Sequence, residues 1–140
     1  MEEEVLEPEP RKMFVVVRAD LPPGLQMAQA GHAIAELCFS YGDTAKGLLW
    51  YESGEGHLIV LSVPSELDLI DAKNTLQAAG IICEPFNEPD LDMQLTAFAC
   101  FCAPEDNYLF CDLPLALRRR SLFQRVKDYL GVGPLWSSDD

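Results

Sequence analysis

Two hydrophobic spacings alternate along the chain. Met13 to Val17 is an unbroken apolar run rich in β-branched residues, the pattern of a strand covered on both faces, so it should lie centrally in a sheet. After Asp20, two prolines and Gly24, apolar positions recur at helical spacing. At about 100° per residue Met27, Ala30, Ile34, Leu37, Cys38 and Tyr41 share one stripe, with Gln29, His32 and Glu36 on the other side. Pro22 and Pro23 suit a first helical turn, whose N–H groups lack intrahelical partners, and Gly42 suits a left-handed cap. The spacing predicts a helix ending near Tyr41. Its apolar stripe should pack on the sheet, and Gln29, His32 and Glu36 should face water or a ligand.

The same reading carries through the rest of the chain. Asp43 or Thr44 can cap a short second helix through Trp50 and Tyr51, broken by the segment Ser53 to Gly56. His57 to Val63 is a second buried strand. Ser65, with Asp68 three residues on, resembles a helix start; Leu67, Ile70, Leu76 and Ala79 give the apolar spacing, and Gly80 ends the run. Ile81 to Phe86 reads as a third strand, followed by the acidic loop NEPDLD, where Pro89 cannot donate to a ladder. Leu95 to Cys102 is a fourth strand, and Pro104 to Asn107 a turn. Pro114 to Leu130 can form a last helix with Leu122, Val126, Tyr129 and Leu130 on one side. The order predicts an α/β fold of three α-β-α layers around a four-stranded mixed β-sheet, because the last two strands lie too close for a helical crossover.

Composition narrows the class. A chain of 140 residues fits one domain. Residues 1–12 are acidic and proline-bearing and read as a disordered leader, 13–130 as the folded domain and 131–140 as a flexible tail. No apolar run approaches the ~20 residues of a membrane span, and MEEEVLEPEP is acidic where a signal peptide is basic and then apolar, so a cytoplasmic location is expected. The five cysteines lack a CxxC pair and mostly sit in apolar runs. They read as reduced, buried hydrophobes, and neither His32 nor His57 has metal-ligand spacing to them, so neither metal nor cofactor is expected. No phosphate loop or GxSxG elbow is present.

The net charge of -13 opposes general attraction to phosphate backbones. Its distribution is uneven. Arg118, Arg119, Arg120, Arg125 and Lys127 fall within ten residues without an intervening acid, leaving five cations against 23 acids elsewhere. Any nucleic-acid contact must rely on that segment, which reads equally well as a solvated helical face.

Asp20 ends the first strand on the side where open α/β sheets place their ligand crevice. The run KMFVVVRADLPPGLQMAQAGHA resembles the amino-terminal signature of the class 2 peptidyl-tRNA hydrolases, a strand ending in R-x-D-L and a helix bearing Q-x-x-H-A. Arg18, Asp20, Leu21, Gln29, His32 and Ala33 match. FNEPDLDMQLTAFACFCAP resembles that family's closing strand, which carries over Gln94 and Thr96. The likeness spans Lys12 to about Pro104. It implies a mixed four-stranded sheet with helices on both faces, and hydrolysis of the ester joining a peptide to the 3′ ribose of tRNA.

Two features depart from the family pattern. The first turn is short and has Leu25 and Met27 where cations are usual, and EPDLD replaces a threonine-bearing, glycine-rich loop. On the hydrolase reading His32 is the general base, Asp20 orients it or holds the water, and Gln94, Thr96 or backbone N–H groups serve the oxyanion. Arg18 and Gln29 would then contact peptidyl-tRNA together with Arg118, Arg119, Arg120 and Arg125, although an ion pair with Asp20 suits Arg18 equally. The alternative is a non-catalytic binding domain with an altered, acidic cleft. Monomer and homodimer both stay open.

Overall fold

The structure is a computed structural model that describes residues 11–52, 56–118 and 130. Its elements are β1 (Lys12–Arg18), α1 (Pro23–Tyr41), α2 (Ala45–Glu52), β2 (His57–Val63), α3 (Glu66–Ala78), β3 (Glu84–Glu88) and β4 (Gln94–Cys102). Short 3-10 turns cover Pro89–Leu91 and Pro104–Phe110. The sheet order is β2-β1-β4-β3, with β1 parallel to β2 and both β1 and β3 antiparallel to β4. This is the expected four-stranded mixed sheet, with β1 and β4 central and buried along nearly their whole length.

Side chains alternate across β1. Met13, Val15 and Val17 join Ala30, Ala33, Leu37, Ala97, Ala99 and Phe101 on the α1 face. Phe14 and Val16 join Leu61, Leu69, Leu76, Phe98 and Phe110 on the α3 face. Trp50 of α2 meets Phe101 at 5.8 Å between ring centroids, which places α2 on the α1 side. Three layers result.

Helix α3 starts as expected, with Ser65 Oγ accepting from the Asp68 N–H at 3.3 Å. It ends at Gly80, whose φ of +90° is the left-handed conformation that glycine adopts without penalty. Thr44 Oγ1 accepts from the Gly47 N–H at the start of α2.

Several sequence expectations are corrected. Gly42 caps α1 in right-handed geometry, and glycine is needed there because a Cβ would collide with the Cys38 carbonyl. Lys12 belongs to β1, paired with His57 and Cys102, and not to the leader. The third strand runs two or three residues later than read and includes Asn87 and Glu88. Leu67 is exposed and Leu69 takes the buried position on α3. Cys38 and Cys111 are exposed, whereas Cys83, Cys100 and Cys102 are buried as expected. Pro114 to Leu117 is not helical: the Pro114 carbonyl and the Ala116 N–H bond to Ser62 and Val60, laying this segment along the free edge of β2. The remainder of the expected last helix, most of the leader and the tail lie outside the described residues. Among the described residues no helix is long and apolar enough to cross a membrane, and no cluster of metal-ligating side chains occurs.

Candidate active site at the end of the central strands

The buried face of α1 differs from the expected stripe by about one position. Gln26, Gln29, Ala30, Ala33 and Leu37 point inward, while Met27 is 66% exposed. Two glutamines are buried with hydrogen-bond partners there, which offsets part of the penalty of taking an amide out of water, although among the described residues Gln26 Oε1 has none. Gln26 Nε2 donates to the Leu21 carbonyl at 2.6 Å and ties down the turn after Asp20. Gln29, expected to face outward, is 2% exposed. The hydroxyl of Thr96 donates to Gln29 Oε1 at 2.5 Å, and Gln29 Nε2 donates to Glu88 Oε2 at 3.1 Å.

Thr96 reaches α1 because β4 carries a bulge. Phe86 pairs with Ala97 but Asn87 pairs with Leu95, so Thr96 is the extra residue. A bulge re-aims side chains. Thr96 therefore turns to the α1 side, while Leu95 joins the α3-side core.

A second polar group sits where β1 ends. The guanidinium of Arg18, itself 7% exposed, grips Asp20 with two parallel bonds, Nε to Oδ1 at 3.0 Å and Nη2 to Oδ2 at 2.9 Å. Its Nη1 donates to Gln94 Oε1 at 2.8 Å. This bond fixes the Gln94 amide: its oxygen is occupied, and its NH₂ is left to donate elsewhere. The hydrogen bonds from Arg18 pull the Asp20 carboxyl below its ordinary range, outweighing partial burial. Bonding to Asp20 likewise raises Arg18, with a smaller contribution from the charge of Glu66. Asp20 is thus a carboxylate at neutral pH, and its side chain remains 42% exposed.

The structure brings Arg18, Asp20 and Gln94 together, and separately Gln29 and Thr96. It does not join His32 to Asp20. His32 lies nine residues into α1, about 13 Å of helical rise from its start. Its exposed ring stacks on Phe86 with centroids 4.4 Å apart and planes within 10°, and among the described residues no hydrogen bond links it to Asp20. Asp20 is taken up by Arg18, the ion pair that the sequence also suits. Thr96 is fully buried and committed to Gln29. Arg118 is exposed, while Arg119, Arg120 and Arg125 lie outside the described residues.

The sequence reading missed Glu88, which holds Gln29, and Phe86, which seats His32. Gln26 was legible in hindsight, since positions 26, 30, 33 and 37 form a regular inward spacing once a glutamine is allowed to face the core.

A search among curated proteins gives no match. The profile of the family described as peptidyl-tRNA hydrolase PTH2 matches residues 11–103. That span runs from the start of β1 to the end of β4 and includes both polar groups. With more than half of the chain matched, this protein belongs to the PTH2 peptidyl-tRNA hydrolase family.

Proposed function

We propose that this protein hydrolyses the ester between a peptide and the 3′ ribose of tRNA, at the end of β1. The observation that carries the reading is the triplet Arg18, Asp20 and Gln94. Ester hydrolysis needs a positioned water and donors for the developing oxyanion. Each Asp20 oxygen already accepts one bond from Arg18 and keeps a lone pair on its exposed side to hold a water. Gln94, turned by Arg18, offers its NH₂ to the ester oxygen. Peptidyl-tRNA is the substrate, and no cofactor enters the reaction.

A carboxylate held below its usual range is a weak base, so slow turnover is expected. His32, stacked on Phe86 and away from Asp20, lines the substrate wall in this proposal, where its ring can stack with a base of the tRNA. Gln29 and Thr96 keep the bulge in shape. Arg118, Arg119, Arg120, Arg125 and Lys127 supply phosphate contacts on an otherwise acidic chain. Replacing Arg118, Arg119 and Arg120 by glutamine should flatten the salt dependence of tRNA binding by up to about three units of slope. An unchanged slope removes the segment from the interface.

The rival reading is a non-catalytic binding domain. It is favoured by the mutual neutralisation of Arg18 and Asp20 and by the absence of lysine between Lys12 and Lys46. Release of N-acetylated amino acid from tRNA, assayed with catalytic and with substrate-level amounts of protein, separates the two. Folded protein that releases nothing in either condition is a binding domain.

A further inference from the structure

Leu95 is held on both sides of its peptide. Pairing between β1 and β4 stops at Val17↔Ala97, short of Leu95. Two side chains take over from the ladder: Glu66 Oε2 accepts from the Leu95 N–H at 2.8 Å, and Arg18 Nη1 donates to the Leu95 carbonyl at 3.4 Å. Leu95 stands between Gln94 and Thr96, one in each polar group. Whatever fixes Leu95 therefore fixes the relation between the two.

Glu66 is well placed to do so. It is the first residue of α3, directly after the cap Ser65, whose hydroxyl also donates to Asp68 Oδ2 at 2.8 Å. The carboxylate is thus launched from a backbone secured by its own cap. The bond gives the Leu95 N–H its acceptor oxygen. Its loss would leave the buried Leu95 N–H unpaired at the end of a central strand.

We propose that Glu66 is a positioning residue for the hydrolytic site: its carboxylate pins the Leu95 peptide, so that Gln94 presents its NH₂ beside Asp20 and Thr96 keeps its bond to Gln29. The inference rests on the hydrolase reading. In this role Glu66 acts through Leu95. A role confined to the α3 helix end, where any acid is favourable, makes a different prediction, since aspartate would serve there equally well.

That difference sets the test. In the full chain, Glu66→Asp keeps the charge but is one methylene too short to reach Leu95, whereas Glu66→Gln keeps the reach and an acceptor oxygen without the charge. Both are conservative, and their melting temperatures report folding. The readouts are amide hydrogen exchange at Leu95 by NMR, and kcat and KM for release of N-acetylated amino acid from tRNA. Glu66→Asp should speed Leu95 exchange about tenfold or more and lower kcat about tenfold, with KM changed less than about twofold. Glu66→Gln should stay within about twofold of wild type in both. Leu95 exchange unchanged in Glu66→Asp overturns the proposal, because the clamp then does not exist. Faster exchange with an unchanged kcat also overturns it, leaving Glu66 a structural residue. A folded wild type that releases nothing overturns the hydrolase reading and the positioning role with it, while Leu95 exchange still reports whether Glu66 clamps the strand.

Discussion

On its α3 side the sheet is filled by Phe14, Phe98 and Phe110 against Leu69 and Leu76, with Phe14 and Phe110 stacked at 4.0 Å. On its α1 side the same strands present Ala97 and Ala99 to Ala30 and Ala33. The thiols of Cys83, Cys100 and Cys102 complete this packing, and at its end the Glu66 carboxylate meets the Leu95 N–H. Alanine on both partners leaves room for longer polar side chains. Gln26 and Gln29 use that room, and Gln29 ties α1 to the bulge of β4. The contrast is between a face packed mainly by large apolar side chains and a face whose buried glutamines tie α1 to the bulge that carries Thr96.

Substitutions on the two faces should therefore differ in kind as well as size. The largest stability effect belongs to the α3 side. Phe98 is fully buried, and Phe98→Ala should lower the free energy of unfolding by about 3–5 kcal/mol in a denaturant titration. Its tRNA-ester chemistry, measured well below the melting temperature, should change far less than its stability. A stability loss under about 1 kcal/mol would show that the face can collapse around the gap and does not carry the fold.

On the α1 side the largest stability effect comes from the network. Thr96→Val keeps the shape but removes the hydroxyl, leaving Gln29 Oε1 without its donor in a site that is 2% exposed. It should destabilise by about 1–3 kcal/mol. The same change should also disturb activity, through the strand that carries Gln94. A stable and fully active Thr96→Val variant would erase the distinction between the two faces.

The Arg18–Asp20 pair should matter least for stability. The hydrogen bonds from Arg18 hold the folded-state pKa of Asp20 below the usual carboxylate value, so its contribution is present above the unfolded pKa and is lost as pH falls through the lower, folded value. With the carboxylate side chain 42% exposed, that contribution should stay under about 1 kcal/mol. The difference in unfolding free energy between wild type and Asp20→Asn should be small near pH 7 and should shrink below about pH 4. A difference that grows on acidification would mean that Arg18 does not stabilise the charged form.

How much of this was legible in the sequence depends on whether burial followed hydrophobicity. β2 was read to the residue, and β1 missed one residue at each end, Lys12 and Arg18, because their apolar runs nearly coincide with their hydrogen-bonded length. The cap at Ser65 was legible because a local hydroxyl-to-backbone bond needs nothing from the rest of the fold. The face of α1 was misread where polarity and burial part company. Gln26 and Gln29 are buried for their hydrogen bonds, and Met27 and Cys38 are exposed despite being apolar.

The bulge at Thr96 leaves no trace in an alternation pattern that is apolar on both sides. The segment after Pro114 was drawn as a helix by its leucine spacing, yet its backbone pairs with the edge of β2. Within the candidate site, Arg18, Asp20 and Gln94 are all legible in the sequence. Their mutual arrangement is not, because a bond between residues 18 and 94 is set by strand order and not by local sequence.

The comparison predicts a clean separation of chemistry from stability at Asp20, and one assay addresses it: the initial rate of N-acetylated amino acid release from tRNA by wild type and Asp20→Asn, each checked for folding by thermal melt. Losing the carboxylate that holds the water should lower the rate by about 10² or more, while the melting temperature stays within a few degrees of wild type. Equal rates in the two proteins would contradict the account, because they would place the chemistry away from the end of β1 even in an active hydrolase.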